Sequence, residues 1–149
     1  MEEASFMNAT LQSFGYPERT IREYEHWVTL IRPVQLTLGS VIIAAKADVK
    51  SLGALRPEEM AELPSVIRSF ESVLTDHFGA TKFNYLALMM VDPNPHFHGI
   101  PRYHSPVTFH NLYFMDERFP KPPALDIVNH CPEATLDALL GYLRPWFAV

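Results

Sequence analysis

The sequence predicts an α+β domain, an antiparallel five-stranded sheet with helices packed on one side. Three observations predict it. Strand-like stretches recur along the chain, with two-residue alternation at 22–31 and 92–101, as apolar runs at 41–46 and 83–91, and again at 107–114. Between the second and third of them, residues 57–78 carry apolar side chains at three- and four-residue spacing, as one face of a helix requires. The same spacing returns at 132–147. The resulting order is short helix, two strands, long helix, further strands and a terminal helix.

Taken in order, Phe6 to Phe14 predicts a short helix ended by Gly15 and Pro17, with Leu11 and Phe14 covering one end of a core. From Arg22 to Ile31 the alternation puts Tyr24, His26, Val28 and Leu30 on one strand face and Glu25, Trp27, Thr29 and Ile31 on the other. Bulk on both faces marks an inner strand. Pro33 stops it, a loop turning at Gly39 follows, and Val41 to Lys46 returns as its antiparallel, β-branched partner. Pro57 suits the first position of the long helix, where no N–H is needed, and Glu58 and Glu59 suit its positive end. Met60, Leu63, Ile67, Phe70, Leu74 and Phe78 form its apolar stripe, Gly79 its cap, and Pro64 a kink or a delayed start. His77 is expected to meet the helix dipole at the C-terminal end. Val107 to Phe114 gives the fifth strand, and Leu136, Leu139, Leu140, Leu143 and Phe147 line the terminal helix.

At 149 residues, 48% hydrophobic and 19% charged, the chain reads as one soluble domain with a full core. A net charge of −5 argues against nucleic acid or an anionic membrane surface as the partner, since both call for a basic face. Cys131 is the sole cysteine, which excludes an intrachain disulfide and fits a reducing compartment. The opening MEEASFMNATL lacks the basic-then-apolar order of a secretory signal, and no apolar run approaches the ~20 residues of a membrane span, so the cytoplasm is the expected location.

The chemistry concentrates in Asp92 to Tyr103, DPNPHFHGIPRY. Strand alternation projects Asn94, His96 and His98 on one exposed side and turns Phe97 into the core. Gly99 leaves the backbone beside His98 uncovered, so that a ligand can approach, and Arg102 adds a permanent positive charge. Two neighbouring imidazoles, an open backbone and a guanidinium suit an anion, foremost phosphate; a His-x-His pair also suits a metal. His104 and His110 are secondary candidates for substrate contact.

This run resembles the active-site strand of the histidine triad family, in which three alternating histidines often precede IPRY. Anchored on Asp92-Pro93 and Ile100-Pro101-Arg102-Tyr103, Asn94 stands at the first histidine position, His96 at the second and His98 at the third. The likeness extends through YEHWVTLIRP, Leu38-Gly39 and FNYLALMMVDP, and covers roughly Tyr16 to Tyr103. It implies the same α+β fold, a homodimer with joined sheets, and a nucleoside pocket walled by the first strand pair, with Leu30, Arg32 and Trp27 as candidates. It also implies a hydrolase of the diadenosine tetraphosphate hydrolase-like branch, in which His96 attacks the α-phosphate of a dinucleoside polyphosphate or nucleoside phosphoramidate and water resolves the nucleotidyl-histidine. His98, the Gly99 backbone, Asn94 and Arg102 would steady the charge. The scheme needs no metal cofactor, and a magnesium ion is compatible with a polyphosphate substrate. Asn94 departs from the family pattern: an amide cannot take up a proton, which leaves open a slow enzyme or a nucleotide-binding sensor. NPHFHG also resembles the His-Pro-His-Gly core of galactose-1-phosphate uridylyltransferases, a register that makes His98 the nucleophile and the chain a nucleotidyltransferase.

Overall fold

The computed structural model describes residues 8–126 and 131–147. A five-stranded sheet in the order β1-β2-β3-β5-β4 dominates it, with every neighbouring pair antiparallel. Its strands are β1 (Thr20–Glu23), β2 (Trp27–Ile31), β3 (Val41–Ala45), β4 (Lys82–Leu86) and β5 (His96–Arg102). The helices are α1 (Ala9–Ser13), α2 (Pro57–Phe78) and α3 (Glu133–Leu143), the last running on into a single 3-10 turn at Arg144–Phe147.

The five-stranded antiparallel sheet was expected, but its fifth strand comes from elsewhere in the chain. The alternating run from Arg22 to Ile31 is not one strand. The Glu62 carboxylate on α2 accepts the backbone N–H groups of Glu25 at 3.1 Å and His26 at 2.7 Å, and so holds a turn between β1 and β2. Val107 to Phe114, expected as the fifth strand, instead folds on itself as β6 (Val107–Phe109) and β7 (Leu112–Phe114), a separate two-stranded sheet. His110 and Asn111 at the tip both have positive φ, 49° and 64°, the backbone of a tight hairpin turn. β4 ends at Leu86, five residues short of the expected Val91, and β5 continues through Pro101 to Arg102.

One face of the sheet packs against α2 and α3. Trp27, Ile31, Val41, Ile43 and Ala45 meet Leu63, Val66, Phe70 and Leu74 of α2 and Leu139, Leu143 and Phe147 beyond it, all buried. Helix α2 starts at Pro57, where the backbone N–H of Arg56 donates to the buried Glu59 carboxylate at 2.7 Å, and it stops at Gly79 with φ 78°. Pro64 neither ends it nor delays its start. It lies on the exposed side, where solvent can take the carbonyl that its missing N–H leaves free. Met60, assigned to the apolar stripe, is 42% exposed; Val66 and Val73 are buried in the stripe that forms. No helix among the described residues is long and apolar enough to cross a membrane.

The opposite face is smaller. Val28 and Leu30 of β2 and Ile42 and Ala44 of β3 bury against Leu11 of α1, with Phe14 and Tyr16 packed alongside. Asn8 ties this cover down. Its Oδ1 accepts the N–H of Leu11 at 2.8 Å, and its Nδ2 donates to the carbonyl of Ala45, the last residue of β3, at 2.9 Å.

Candidate functional site

β5 lies between β3 and β4, with His96 opposite Ala44 and His98 opposite Ile42. Alternation therefore sends both imidazoles to the smaller face, beside Leu30, while Phe97 packs on the α2 side. The rings sit 5.1 Å apart, centre to centre. The expected pairing is present, but the face is not exposed: His96 is 2% and His98 9% accessible. The Phe14 ring closes over them, 5.5 Å from His96 and 6.1 Å from His98. Phe14, read from sequence as core cover, is thus a neighbour of both imidazoles.

Hydrogen bonds define how each ring is turned. His96 Nδ1 is 2.8 Å from the backbone carbonyl of Asn94. A carbonyl only accepts, so Nδ1 carries the proton and Nε2 presents a lone pair. His98 is set the other way. Its Nδ1 faces Arg32 Nε at 3.4 Å, and the guanidinium only donates, so His98 accepts at Nδ1 and holds its proton on Nε2. Burial, with the Arg32 charge and then His96 adding to it, pushes the His98 pKa down to about 4. His98 is therefore a neutral donor at pH 7.

Arg32 itself is half-buried, anchored by Nη1 to the carbonyl of Val34 at 2.8 Å, and has no carboxylate partner among the described residues. Its loop is wrapped round Gln35, whose Nε2 donates to the carbonyls of Arg32 (2.7 Å) and Ser40 (2.9 Å) and whose Oε1 accepts the N–H of Gly39 (2.7 Å). Gly39 has φ 88°, which a side-chain-bearing residue rarely adopts.

Four expected contributors sit differently. Asn94 is 1% exposed, and its amide makes no contact with the imidazoles: Oδ1 accepts from Thr10 N (3.2 Å) and Thr10 Oγ1 (3.0 Å), and Nδ2 donates to Asp48 Oδ1 (3.0 Å) and the Val49 carbonyl (2.8 Å). Only its backbone carbonyl reaches His96. Gly99 serves the α2 face. A Cβ there would stand 2.9 Å from Val41 Cγ2 and 3.0 Å from Phe70 Cε2, so the missing side chain makes room for packing rather than for a ligand. Trp27 also lies on the α2 side, its Nε1 donating to the Glu59 carbonyl at 2.7 Å, and it cannot wall a pocket on the histidine face. Arg102, four residues along β5 from His98 and so roughly 13 Å away, is committed to Asp116 through Nε (2.7 Å) and Nη2 (3.1 Å) and to Asn84 Oδ1 through Nη1 (2.7 Å). Both members of that ion pair are buried. His104 is exposed and packs edge-on to Phe119, His110 sits in the β6–β7 turn, and His77 bonds the Tyr142 hydroxyl at 2.9 Å. Among the described residues no three His, Cys, Asp or Glu side chains are grouped to hold a metal.

No protein-family model and no curated protein matches the chain. Solved structures do. A histidine triad protein from Sinorhizobium meliloti superposes with a TM-score of 0.70 at 19% identity, over 93% of this chain and 94% of that one. A second, from Marinobacter aquaeolei, gives 0.68 at 19% over 86% and 87%. A hypothetical histidine triad nucleotide-binding protein from Sulfolobus tokodaii gives 0.65 at 16% over 87% and 83%. The chain has the fold of the histidine triad proteins.

Proposed function

We propose that the chain is a nucleotide hydrolase in which His96 attacks the α-phosphorus of a dinucleoside polyphosphate or nucleoside phosphoramidate and water then releases the nucleotide. The observation that carries this reading is the 2.8 Å contact between His96 Nδ1 and the Asn94 carbonyl. It leaves Nε2 with the lone pair that a nucleophile needs, and the carbonyl steadies the positive ring formed on attack. His98 Nε2–H and the Arg32 guanidinium, which has no carboxylate partner among the described residues, supply donors for the phosphoryl oxygens. The half-buried Phe14 ring offers apolar contact for a base, whereas Leu30, expected as pocket wall, is fully buried beneath Leu11 and offers none. The alternative register, with His98 as nucleophile and a nucleotidyltransferase outcome, is disfavoured because Arg32 occupies His98 Nδ1 and leaves a proton on Nε2. The Sulfolobus relative named as nucleotide-binding supports the ligand class.

A second reading, a nucleotide-binding sensor with little turnover, is favoured by one observation: His96 is 2% accessible beneath Phe14. In either case we infer a cytoplasmic homodimer joined through the outer edge of β4, which ends the sheet and leads into the exposed Leu88, Met90 and Val91. The test is to incubate the protein with labelled dinucleoside polyphosphates and phosphoramidates, quench in base, and look for an acid-labile nucleotide on protein. Label that disappears in His96→Ala and survives in His98→Ala supports the hydrolase. Label lost only in His98→Ala overturns the assignment, and tight binding without label selects the sensor.

A further inference from the structure

We propose that Arg32 is a positioning residue that holds His98 as a neutral Nε2–H donor, and that it thereby restricts the site to substrates whose leaving group departs as a stable anion. The proposal rests on His96 being the nucleophile. Arg32 leaves the end of β2, anchors Nη1 on the Val34 carbonyl at 2.8 Å, and turns Nε to His98 Nδ1 at 3.4 Å. A guanidinium stays protonated throughout the working range and cannot accept a proton. While it occupies Nδ1, His98 can donate from Nε2 but cannot become an imidazolium without placing two positive charges face to face. The groups around His98 act in the same direction overall. His96 on its own strand and Arg32 both disfavour a positive ring, Phe14 at the C-terminal cap of α1 and the buried face withhold water, and Asp92 from the preceding loop opposes them.

The consequence falls on the leaving group. As His96 Nε2 bonds to the α-phosphorus, the bond from that phosphorus to the bridging atom breaks and its electron pair departs with the bridging atom. When that atom is a phosphate oxygen, the pair is accommodated as a nucleotide or pyrophosphate anion, and no proton is needed. When it is an amine nitrogen, departure requires a proton, and a ring held neutral with a low pKa is a poor source of one. Water then attacks the same phosphorus, the P–N bond to His96 returns its pair to Nε2, and the water proton passes to solvent. The phosphoric anhydride is therefore the substrate class this site suits, and the phosphoramidate is the poor one.

Nitrogen-detected NMR of the intact protein tests the arrangement without relying on turnover. The expected result is a His98 Nε2–H tautomer with a midpoint below pH 5, and in Arg32→Met a mixed tautomer with a raised midpoint. Arg32→Lys, which keeps the charge but not the in-plane Nε, should restore the depressed midpoint only in part. A His98 that titrates near its ordinary 6.5 in the wild type, or whose midpoint does not move in a folded Arg32→Met, overturns the proposal. Single-turnover labelling of His96 supplies the chemical half: an anhydride should react at least about tenfold faster than the matching phosphoramidate, and Arg32→Met should narrow that ratio. If the phosphoramidate labels His96 as fast or faster, the leaving-group inference fails while the hydrolase stands. If neither substrate labels His96, the hydrolase reading itself fails.

Discussion

The two faces of the sheet are built from the same strands and made for opposite purposes. On the α2 side, β5 contributes Phe97 and the bare backbone of Gly99, and Trp27, Val41 and Phe70 close against them with few polar atoms. One residue over, the same strand contributes His96 and His98 to a face whose apolar part is five fully buried side chains, and whose cover is a five-residue helix held by Asn8, Thr10 and Asn94. The first face is stabilised by burial. The second is held by directional hydrogen bonds, and those bonds also determine which imidazole nitrogen is free. A contrast of this kind explains why residues adjacent in sequence, such as His98 and Gly99, have unrelated roles.

The sharpest way to break the comparison is to damage the larger face alone. Trp27→Ala removes a fully buried indole from beneath α2, and should lower unfolding free energy by about 3–5 kcal/mol, read by urea denaturation. Where the variant remains folded, its affinity for adenosine monophosphate should stay within about twofold of wild type, because no part of the indole reaches the histidine face. A larger loss of affinity in folded protein would mean the faces are not independent.

How much of this was legible beforehand follows the range of the interactions. Alternation within β5 and the spacing in α2 are local: the first put both imidazoles on one face, though it made that face exposed rather than buried, and the second found Leu63, Phe70 and Leu74 but put Met60 in the stripe in place of Val66 and Val73. The turn that splits β1 from β2 depends on Glu62, 36 residues from His26, and the Thr10–Asn94 clasp spans 84 residues; neither leaves a local pattern. Arg102 was misread because nearness in sequence suggests nearness in space, whereas four residues of strand carry it out of reach and Asp116 takes its charge. Arg32, at the end of a different strand, is the cation that arrives. Phe14 was legible as an apolar residue on a short helix, but not which face that helix would cover.

Asn94 gives the next largest effect, this time on the smaller face. Its amide is satisfied on both sides and 1% exposed, so Asn94→Ala should cost about 2–3 kcal/mol by leaving Thr10 and Asp48 short of partners. Amide exchange at Thr10 and Leu11 should quicken as the α1 cover loosens. Asn94→His should behave no better, since an imidazole cannot make both pairs of bonds, and a gain in turnover is not expected from it. Unchanged protection at Thr10 in either variant would remove the clasp from the account.

The smallest effect is a pH dependence carried by His98. Its folded pKa is depressed to about 4, so the folded state refuses a proton that the unfolded chain accepts near 6.5. Between those values the unfolded state binds more protons, and stability must rise with pH. The stabilisation is fully present above pH 6.5, declines as pH falls through the window, and levels off below about 4. Allowing for the solvent that still reaches part of the ring, the loss between pH 7.5 and 5 should be about 1 kcal/mol. Other groups titrate in the same range, so the informative quantity is the difference between wild type and His98→Gln, which keeps an acceptor for Arg32 but cannot take a proton. The urea midpoint of the wild type should fall more steeply on acidification than that of the variant. Parallel slopes would place the His98 proton affinity in the ordinary range, and with it would go the asymmetry that makes one imidazole a donor and the other a nucleophile.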